Sequence, residues 1–208
     1  MRSCECGEYD RLKRDLIEVA KRACDTQLQA GSGGNLSIRV PGKDLFIIKP
    51  SGKGFLDLCL ENLLVVNLVG EVVSGHGKPS KDTMTHAGIY KFRPNVQGIL
   101  HVHATWALTF ALDECEIPLL TEEAIDKIGT IPVIPCIPGK LSQNHQEVAA
   151  KFADSTIRVA LLAKHGLIGV GETLREAAEL CELANESAKL AYLHQLRKTA
   201  VCAGRGVP

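Results

Sequence analysis

Two histidines with a single valine between them interrupt the apolar stretch GILHVHATWA, residues 98–107. Side chains alternate along a β-strand, so His101 and His103 are expected to project from one face and Leu100 and Val102 from the other. Two neutral imidazoles side by side each leave a nitrogen lone pair to satisfy, and one divalent ion satisfies both. The spacing therefore favours a metal site over a pair of core histidines.

A tetrahedral metal site needs more than two ligands. His165 is the best third candidate, because it follows the apolar run RVALLA and precedes Gly166 at a predicted strand-to-turn boundary. Asp82 is the fourth candidate, although an acid in the first turn of a helix is often only a partner of the helix dipole. His86 lies four residues further on the same helix face, so a ligand pair stays open. We rank His86 instead as a residue that packs the helix or contacts the ligands.

Three loops combine glycine or serine with backbone donors in patterns that suit an anion. They are GSGGNLS (31–37), KPSG (49–52) and KPSK (78–81). The first is neither a P-loop nor a dinucleotide loop, because it lacks both G-K-[ST] and G-x-G-x-x-G. Each loop alone is most often a turn. Together they offer backbone amides, hydroxyls and the amines of Lys49, Lys78 and Lys81, and a helix N-terminus after Ser80 adds further donors.

The elements that would position these residues alternate between helix and strand patterns. Helical spacing predicts a first helix that ends before AGSGGN, and further helices over 81–92, 106–112, 143–152 and the segment after Thr173. Strand patterns occur in LSIRV, LFIIKPSG, NLLVVNLVGEVVSG, QGILHVHAT, GTIPVIPCI and TIRVALLAKHGLIGVG. Strands in the middle and helices on the flanks indicate a single α/β layered domain.

The composition argues against several functional classes. The chain has 208 residues, and its 24 Lys plus Arg balance 24 Asp plus Glu, so neither bulk charge nor a basic patch points to nucleic acid. We expect no membrane span, since no run of about 18 apolar residues occurs, and no secretory signal, since the N-terminus lacks an apolar segment. Eight scattered cysteines without a C-x-x-C pair are typical of reduced thiols, which predicts a cytoplasmic protein.

The motifs GGNLS, KPSG, KPSKDTMTH, HVH and KHG, in this order, resemble the class II aldolase/epimerase family of zinc-dependent sugar-phosphate enzymes. The resemblance covers nearly the whole chain. It implies a three-layer α/β domain over residues 1–208, with a central, mostly antiparallel β-sheet flanked by helices. It also implies a cyclic homotetramer with active sites at subunit interfaces.

The resemblance further implies the site residues. One Zn²⁺ per subunit, or another divalent ion such as Mn²⁺ or Co²⁺, would be held by His101, His103 and His165. Asp82 matches the acidic residue that ligates the metal or acts as acid/base. The residues that match the phosphate-binding loops are Gly34, Asn35, Ser51, Gly52, Ser80 and Lys81.

The implied reaction is reversible cleavage of a ketose 1-phosphate, such as L-fuculose 1-phosphate, into dihydroxyacetone phosphate and an aldehyde. The ion would polarise the carbonyl and stabilise the enediolate, and Asp82 would move the enediolate's proton. A second acid/base must handle the aldehyde oxygen. Glu122 is the candidate by position, with Glu123 next to it, although a solvated helix start explains Glu122 equally well.

Other reactions and one non-enzyme class stay open. C4 epimerisation, as in L-ribulose-5-phosphate 4-epimerase, uses the same chemistry, and a related decarboxylase or dehydratase would use the same ion. The adducin head resembles this fold without a working zinc site, but all three histidines are intact here.

The sequence also departs from the family's pattern. Aldolases usually have Glu where this chain has Asp82, whereas the epimerase's His-Ala-Asp string before GTIP is absent. The family's tail tyrosine has no counterpart after Tyr192. The substrate, the role of the tail and that of Cys4 and Cys6 are therefore left open.

Overall fold

The computed structural model describes residues 2–136 and 144–204, and the side chains of 7–136 and 144–201 within them. The helices are α1 (Arg2–Asp25), α2 (Thr83–Phe92), α3 (Thr105–Leu112), α4 (Glu122–Ile128), α5 (His145–Lys151) and α6 (Leu174–Gly204). The strands are β1 (Asn35–Arg39), β2 (Leu45–Ile48), β3 (Leu64–Asn67), β4 (Val72–Ser74), β5 (Gly98–Val102), β6 (Val133–Ile134), β7 (Val159–Leu162) and β8 (Gly166–Gly171).

The eight strands form one sheet in the order β4-β3-β2-β1-β5-β8-β7-β6. Every pair is antiparallel except β6 with β7. The predicted hairpin is formed by β1 and β2, and the two strands predicted around His165 are β7 and β8. Strand β5 lies between β1 and β8, so the HVH segment lies between the strands that carry the GGNLS and KHG motifs.

Two apolar cores cover the two faces of the sheet. Leu100 and Val102 belong to the core that contains residues of α1, α3 and α6, whereas Ile99 belongs to the core that contains residues of α2 and α5. His101 shares the face of Ile99, because side chains alternate along β5. The expectation of a three-layer α/β architecture with a mostly antiparallel sheet is confirmed, and the helix that begins after Asp82 covers the face to which His101 points.

One element boundary near the histidines differs from the prediction. A strand running through His103 is wrong, because β5 ends at Val102. The His103 amide donates to Gln29 Oε1 at 2.9 Å instead of to a neighbouring strand. Helix α2 begins at Thr83, with Asp82 as its N-cap residue, two residues after the start predicted for the helix over 81–92.

Some predictions fall outside the described residues. They concern Gln143 at the start of the helix predicted over 143–152, Ile137 at the end of GTIPVIPCI, the last four residues, and the side chains of Cys4 and Cys6. No helix within the described ranges combines the length and the apolar character that a membrane crossing requires. The cytoplasmic location stays a prediction.

Candidate active site

Three histidine side chains converge at one end of β5. The Nε2 atom of His165 lies 3.0 Å from Nε2 of His101 and 3.3 Å from Nε2 of His103. One ligand atom from each of the three lies within 4.8 Å of the others. Tetrahedral Zn²⁺ with Zn–N bonds of about 2.0–2.1 Å separates its nitrogens by about 3.3–3.4 Å. The donors therefore suit a small tetrahedral ion without rearrangement of the backbone.

Neighbouring backbone groups orient the imidazoles. His101 Nδ1 lies 3.0 Å from the carbonyl oxygen of Leu167, which can only accept, so the ring proton sits on Nδ1 and Nε2 presents its lone pair. Gly33 and Gly166 let the main chain approach closely. A Cβ at Gly33 would lie 2.7 Å from His103 Nδ1, and one at Gly166 would lie 3.0 Å from His103 Cδ2.

The environment keeps the three imidazoles neutral. Burial, reinforced by the charges of His165 and His103, lowers the pKa of His101 to about 3 against the opposing effect of Asp82. Burial also lowers the pKa values of His103 and His165. Neutral imidazole is the form that binds a metal ion.

Asp82 and the three histidines line one cavity, which Asp82 borders from the start of α2. Asn35, which pairs directly with His101 across β1 and β5, donates through Nδ2 to Asp82 Oδ2 at 2.5 Å. Burial raises the pKa of Asp82, but His101, His86 and the Asn35 bond outweigh that effect and lower it. The group whose ligand atoms all lie within 4.8 Å consists of the three histidines and does not include Asp82. That Asp82 acts as a fourth ligand remains a prediction.

The predicted phosphate loops line the same cavity of about 470 Å³. All six candidates border it together with Asp82 and the three histidines; they are Gly34, Asn35, Ser51, Gly52, Ser80 and Lys81. Two backbone hydrogen bonds join the KPSG and KPSK loops, from the Ser51 amide to the Lys78 carbonyl at 2.9 Å and from the Ser80 amide to the Lys49 carbonyl at 3.2 Å. The structure therefore brings the histidines together with the three loops predicted to bind an anion. These loops (31–37, 49–52 and 78–81) are called the anion loops below.

Comparison with known proteins assigns the chain to a family. Residues 14–192 match the family model described as the class II aldolase and adducin N-terminal domain. The chain belongs to this family.

Named relatives of the chain carry out related reactions. The L-fuculose phosphate aldolase of Methanococcus vannielii is 32% identical over 186 residues, which cover 86% of this chain and 95% of that protein. The 3-oxo-tetronate 4-phosphate decarboxylase of Escherichia coli is 30% identical over 187 residues, which cover 88% of this chain and 86% of that protein. The crystal structure of L-fuculose-1-phosphate aldolase from Thermus thermophilus superposes with a TM-score of 0.79 at 27% identity, covering 91% of this chain and 97% of that one.

The sequence-based prediction misread one residue of this candidate site and missed another. Lys49 was expected to offer its amine to the anion, but its side chain is only 2% exposed. Its Nζ donates to the carbonyls of Ser32 at 3.3 Å and Pro50 at 3.4 Å, and also to that of Lys53. Lys49 therefore ties two of the anion loops together.

Nothing in the sequence selects Gln29, although its side chain accepts a hydrogen bond from the His103 amide. A polar residue between a helix and a glycine-rich loop carries no distinctive pattern.

The proposed second acid/base is not part of this cavity. Glu122 is exposed at the first position of α4, and it is absent from the described residues that line the histidine cavity. Glu123 is also exposed and pairs with Lys127 at 2.8 Å. His86, left open as a ligand, is fully buried and bonds Ser37 through Nδ1. The trio that could hold a metal does not contain His86.

Proposed function

We propose that the protein is a zinc-dependent lyase that cleaves a ketose 1-phosphate of the L-fuculose 1-phosphate kind reversibly into dihydroxyacetone phosphate and an aldehyde. The observation that carries this proposal is the single cavity in which three convergent imidazole nitrogens face the glycine, serine and lysine loops. Such a cavity suits a substrate with a phosphate at one end and oxygens that bind a metal near it. The relatives named as sugar-phosphate aldolases and decarboxylases support the same substrate class.

The histidines and Asp82 would perform the chemistry. His101, His103 and His165 would hold Zn²⁺ or a similar divalent ion, which supplies Lewis-acid polarisation of the substrate carbonyl when bound. Cleavage of the C3–C4 bond leaves its electron pair on the dihydroxyacetone phosphate fragment. The C4 hydroxyl must lose its proton to a second acid/base as the bond breaks. The ionised Asp82 would take up a proton from solvent and pass it to the carbon of this fragment, since its carboxylate already lies beside the histidines and is oriented by Asn35.

The anion loops would bind the phosphate. Lys81 and the hydroxyls of Ser51 and Ser80 are the donors, and the amides of Gly34 and Gly52 lie in the same loops. Lys49 lies below them with its charge directed at loop carbonyls. With its phosphate bound there, a substrate would have to place its carbonyl group at the histidines, so the site would select substrates by the distance between the two groups.

The second proton transfer is proposed for Glu122 of a neighbouring subunit in a homotetramer, with residues 1–208 acting as one domain in each subunit. Glu122 lies between Leu120 and Ile125, whose side chains are 47% and 55% exposed. Exposed apolar residues beside a candidate acid support a subunit contact at this surface. Glu123 is the matched control, because it is adjacent but engaged with Lys127.

The test is a panel of ketose phosphates with product analysis, using zinc-loaded and chelator-treated protein. We expect dihydroxyacetone phosphate from a ketose 1-phosphate, loss of activity on chelation and recovery with Zn²⁺. The Glu122→Gln variant should lose far more activity than Glu123→Gln. Carbon dioxide from a 3-oxo-tetronate 4-phosphate would favour the decarboxylase instead, and C4 inversion without cleavage would favour the epimerase. Full activity without metal, or no bound metal at all, would refute the proposal; the latter would favour an adducin-like module.

A further inference from the structure

Helix α2 and strand β1 meet through a regular series of polar contacts. Residues four apart on a helix are about 6.0 Å apart along its axis, and residues two apart on a strand about 6.6 Å, so the two spacings nearly match. Asn35 Nδ2 donates to Asp82 Oδ2, Ser37 Oγ lies 2.7 Å from His86 Nδ1, and the Arg39 guanidinium donates to the Tyr90 carbonyl. Asp82 is therefore the last member of a series whose middle contact, between Ser37 and His86, is fully buried.

The middle contact extends into a chain of hydrogen bonds. Ser37 Oγ also lies 2.8 Å from the Tyr90 hydroxyl, and both His86 and Tyr90 are at most 1% exposed. Among the described residues, Ser37 is the one hydrogen-bond partner recorded for the Tyr90 hydroxyl. A buried hydroxyl that donates to nothing is unfavourable, so Tyr90 donates to Ser37. Ser37 then donates to His86 Nδ1, and the His86 ring proton must sit on Nε2.

His86 and Asp82 line the same small buried cavity. Neither His86 Nε2 nor the Thr85 hydroxyl oxygen has a hydrogen-bond partner among the described residues, although both atoms are buried. The cavity that both residues line offers about 10 Å³, the lower limit for one water molecule. Its lining consists of Asp82, Thr85, His86, His101, Val148, Leu162 and Ile168.

We propose that one ordered water in this cavity accepts the Nε2 proton of His86 and donates to the Asp82 carboxylate, so that the Tyr90–Ser37–His86 chain orients Asp82 from behind. The Thr85 hydroxyl supplies a further partner for this water. His86 is a positioning residue, because it acts on the reacting atoms through Asp82. Asn35 holds one carboxylate oxygen from the strand, and the water restrains the carboxylate from the helix side.

The proton position and the water are tested without any substrate. Long-range nitrogen–proton NMR spectra of ¹⁵N-histidine-labelled protein, assigned with the His86→Gln variant, should place the ring proton of His86 on Nε2. A high-resolution crystal structure should contain one water between His86 Nε2 and Asp82. A proton on Nδ1, or a dry cavity, overturns the proposal.

Kinetics then test the effect on Asp82, and this step alone rests on the proposed function. His86→Leu removes the donor, so kcat should fall about 10- to 100-fold while KM and bound zinc stay unchanged. His86→Gln can still donate through its amide and should recover much of kcat. Ile89→Val, which trims the same helix inside the α2–α5 core, is the control.

A loss in Ile89→Val equal to that in His86→Leu would mean general damage to the helix and would refute the positioning role. Unchanged kcat in His86→Leu would also refute it. If the wild-type protein cleaves no ketose phosphate, the proposed function fails by itself. The NMR spectra and the orientation of Asp82 in the His86→Leu crystal structure still decide the inference, which expects the carboxylate to occupy more than one orientation.

Discussion

A single methyl group added at Gly166 should disrupt the histidine cluster more than the fold. A Cβ at this position would lie 2.5 Å from the Val102 carbonyl oxygen, 3.0 Å from His103 Cδ2 and 3.2 Å from His101 Cε1. The methyl would therefore press on the rings of His101 and His103, one residue after His165 in the chain. Relief requires a shift of the order of 1 Å at the backbone contact, since ordinary packing begins at about 3.5 Å.

The fold should tolerate this shift better than the metal site does. Overpacking in a core costs about 1–3 kcal/mol, which the fold should survive. Metal sites tolerate about 0.2 Å in ligand distances, which is far less than the shift required. Disturbance of the groups around metal ligands typically weakens binding 10- to 100-fold. We therefore expect Gly166→Ala to remain folded and to bind Zn²⁺ at least about tenfold more weakly.

Gly169→Ala is the matched control on the same strand. Its Cβ would lie 2.6 Å from Cys181 Sγ and 2.9 Å from the Ala177 carbonyl oxygen, and no histidine atom is among its nearest contacts. Urea unfolding of the metal-free proteins measures the cost to the fold, and competition with a chromophoric chelator measures Zn²⁺ affinity. Wild-type affinity in a folded Gly166→Ala protein, or an equal loss of affinity in Gly169→Ala, would refute the reasoning.

Two further predictions concern buried cations and histidines. Lys49→Met leaves loop carbonyls without their donor, so the free energy of unfolding should fall by about 1–3 kcal/mol. Inorganic phosphate should also raise the melting temperature of this variant less than that of the wild type. Lys53→Met, at an exposed position, is the control, and an equal effect of phosphate on both variants would contradict this role of Lys49. Burial lowers the pKa of His101 to about 3 and that of His86 to about 4 from 6.5, so the unfolded chain binds protons that the folded chain excludes. The metal-free protein should be most stable above about pH 6.5 and lose up to about 1.4 kcal/mol per pH unit per histidine as the pH falls toward 4; urea titrations that are flat across this range would contradict it.

The histidine cluster could be predicted because strand geometry is local. His101 and His103 are two residues apart, and His165 precedes a glycine at a turn, so period and turn chemistry suffice to nominate them. The prediction was wrong about the end of β5, because Gln29 captures the His103 amide from 74 positions away. A contact between such distant residues leaves no trace in the local pattern of either segment.

The roles of the polar residues behind Asp82 could not be predicted from local sequence patterns, for a different reason. Ser37 resembles any serine in an alternating strand, and Tyr90 resembles any aromatic residue in a helix. Their roles appear only when β1 lies against α2 and their spacings match. Glu122 was nominated by its position in a family pattern, and the position of such a residue relative to a neighbouring subunit cannot be read from one chain.

The glycines of the first anion loop join the candidate metal site to the candidate phosphate site. Gly34 has φ +63, and a Cβ there would lie 2.8 Å from the His101 carbonyl oxygen and 2.5 Å from Gln29 Oε1. Gly33 approaches His103 in the same way. The loop that would bind phosphate thus rests directly on the strand that carries the candidate ligands, and neither can shift alone. A substrate held at both ends would therefore meet a fixed separation, which selects for the distance between phosphate and carbonyl before any contact with the rest of the sugar.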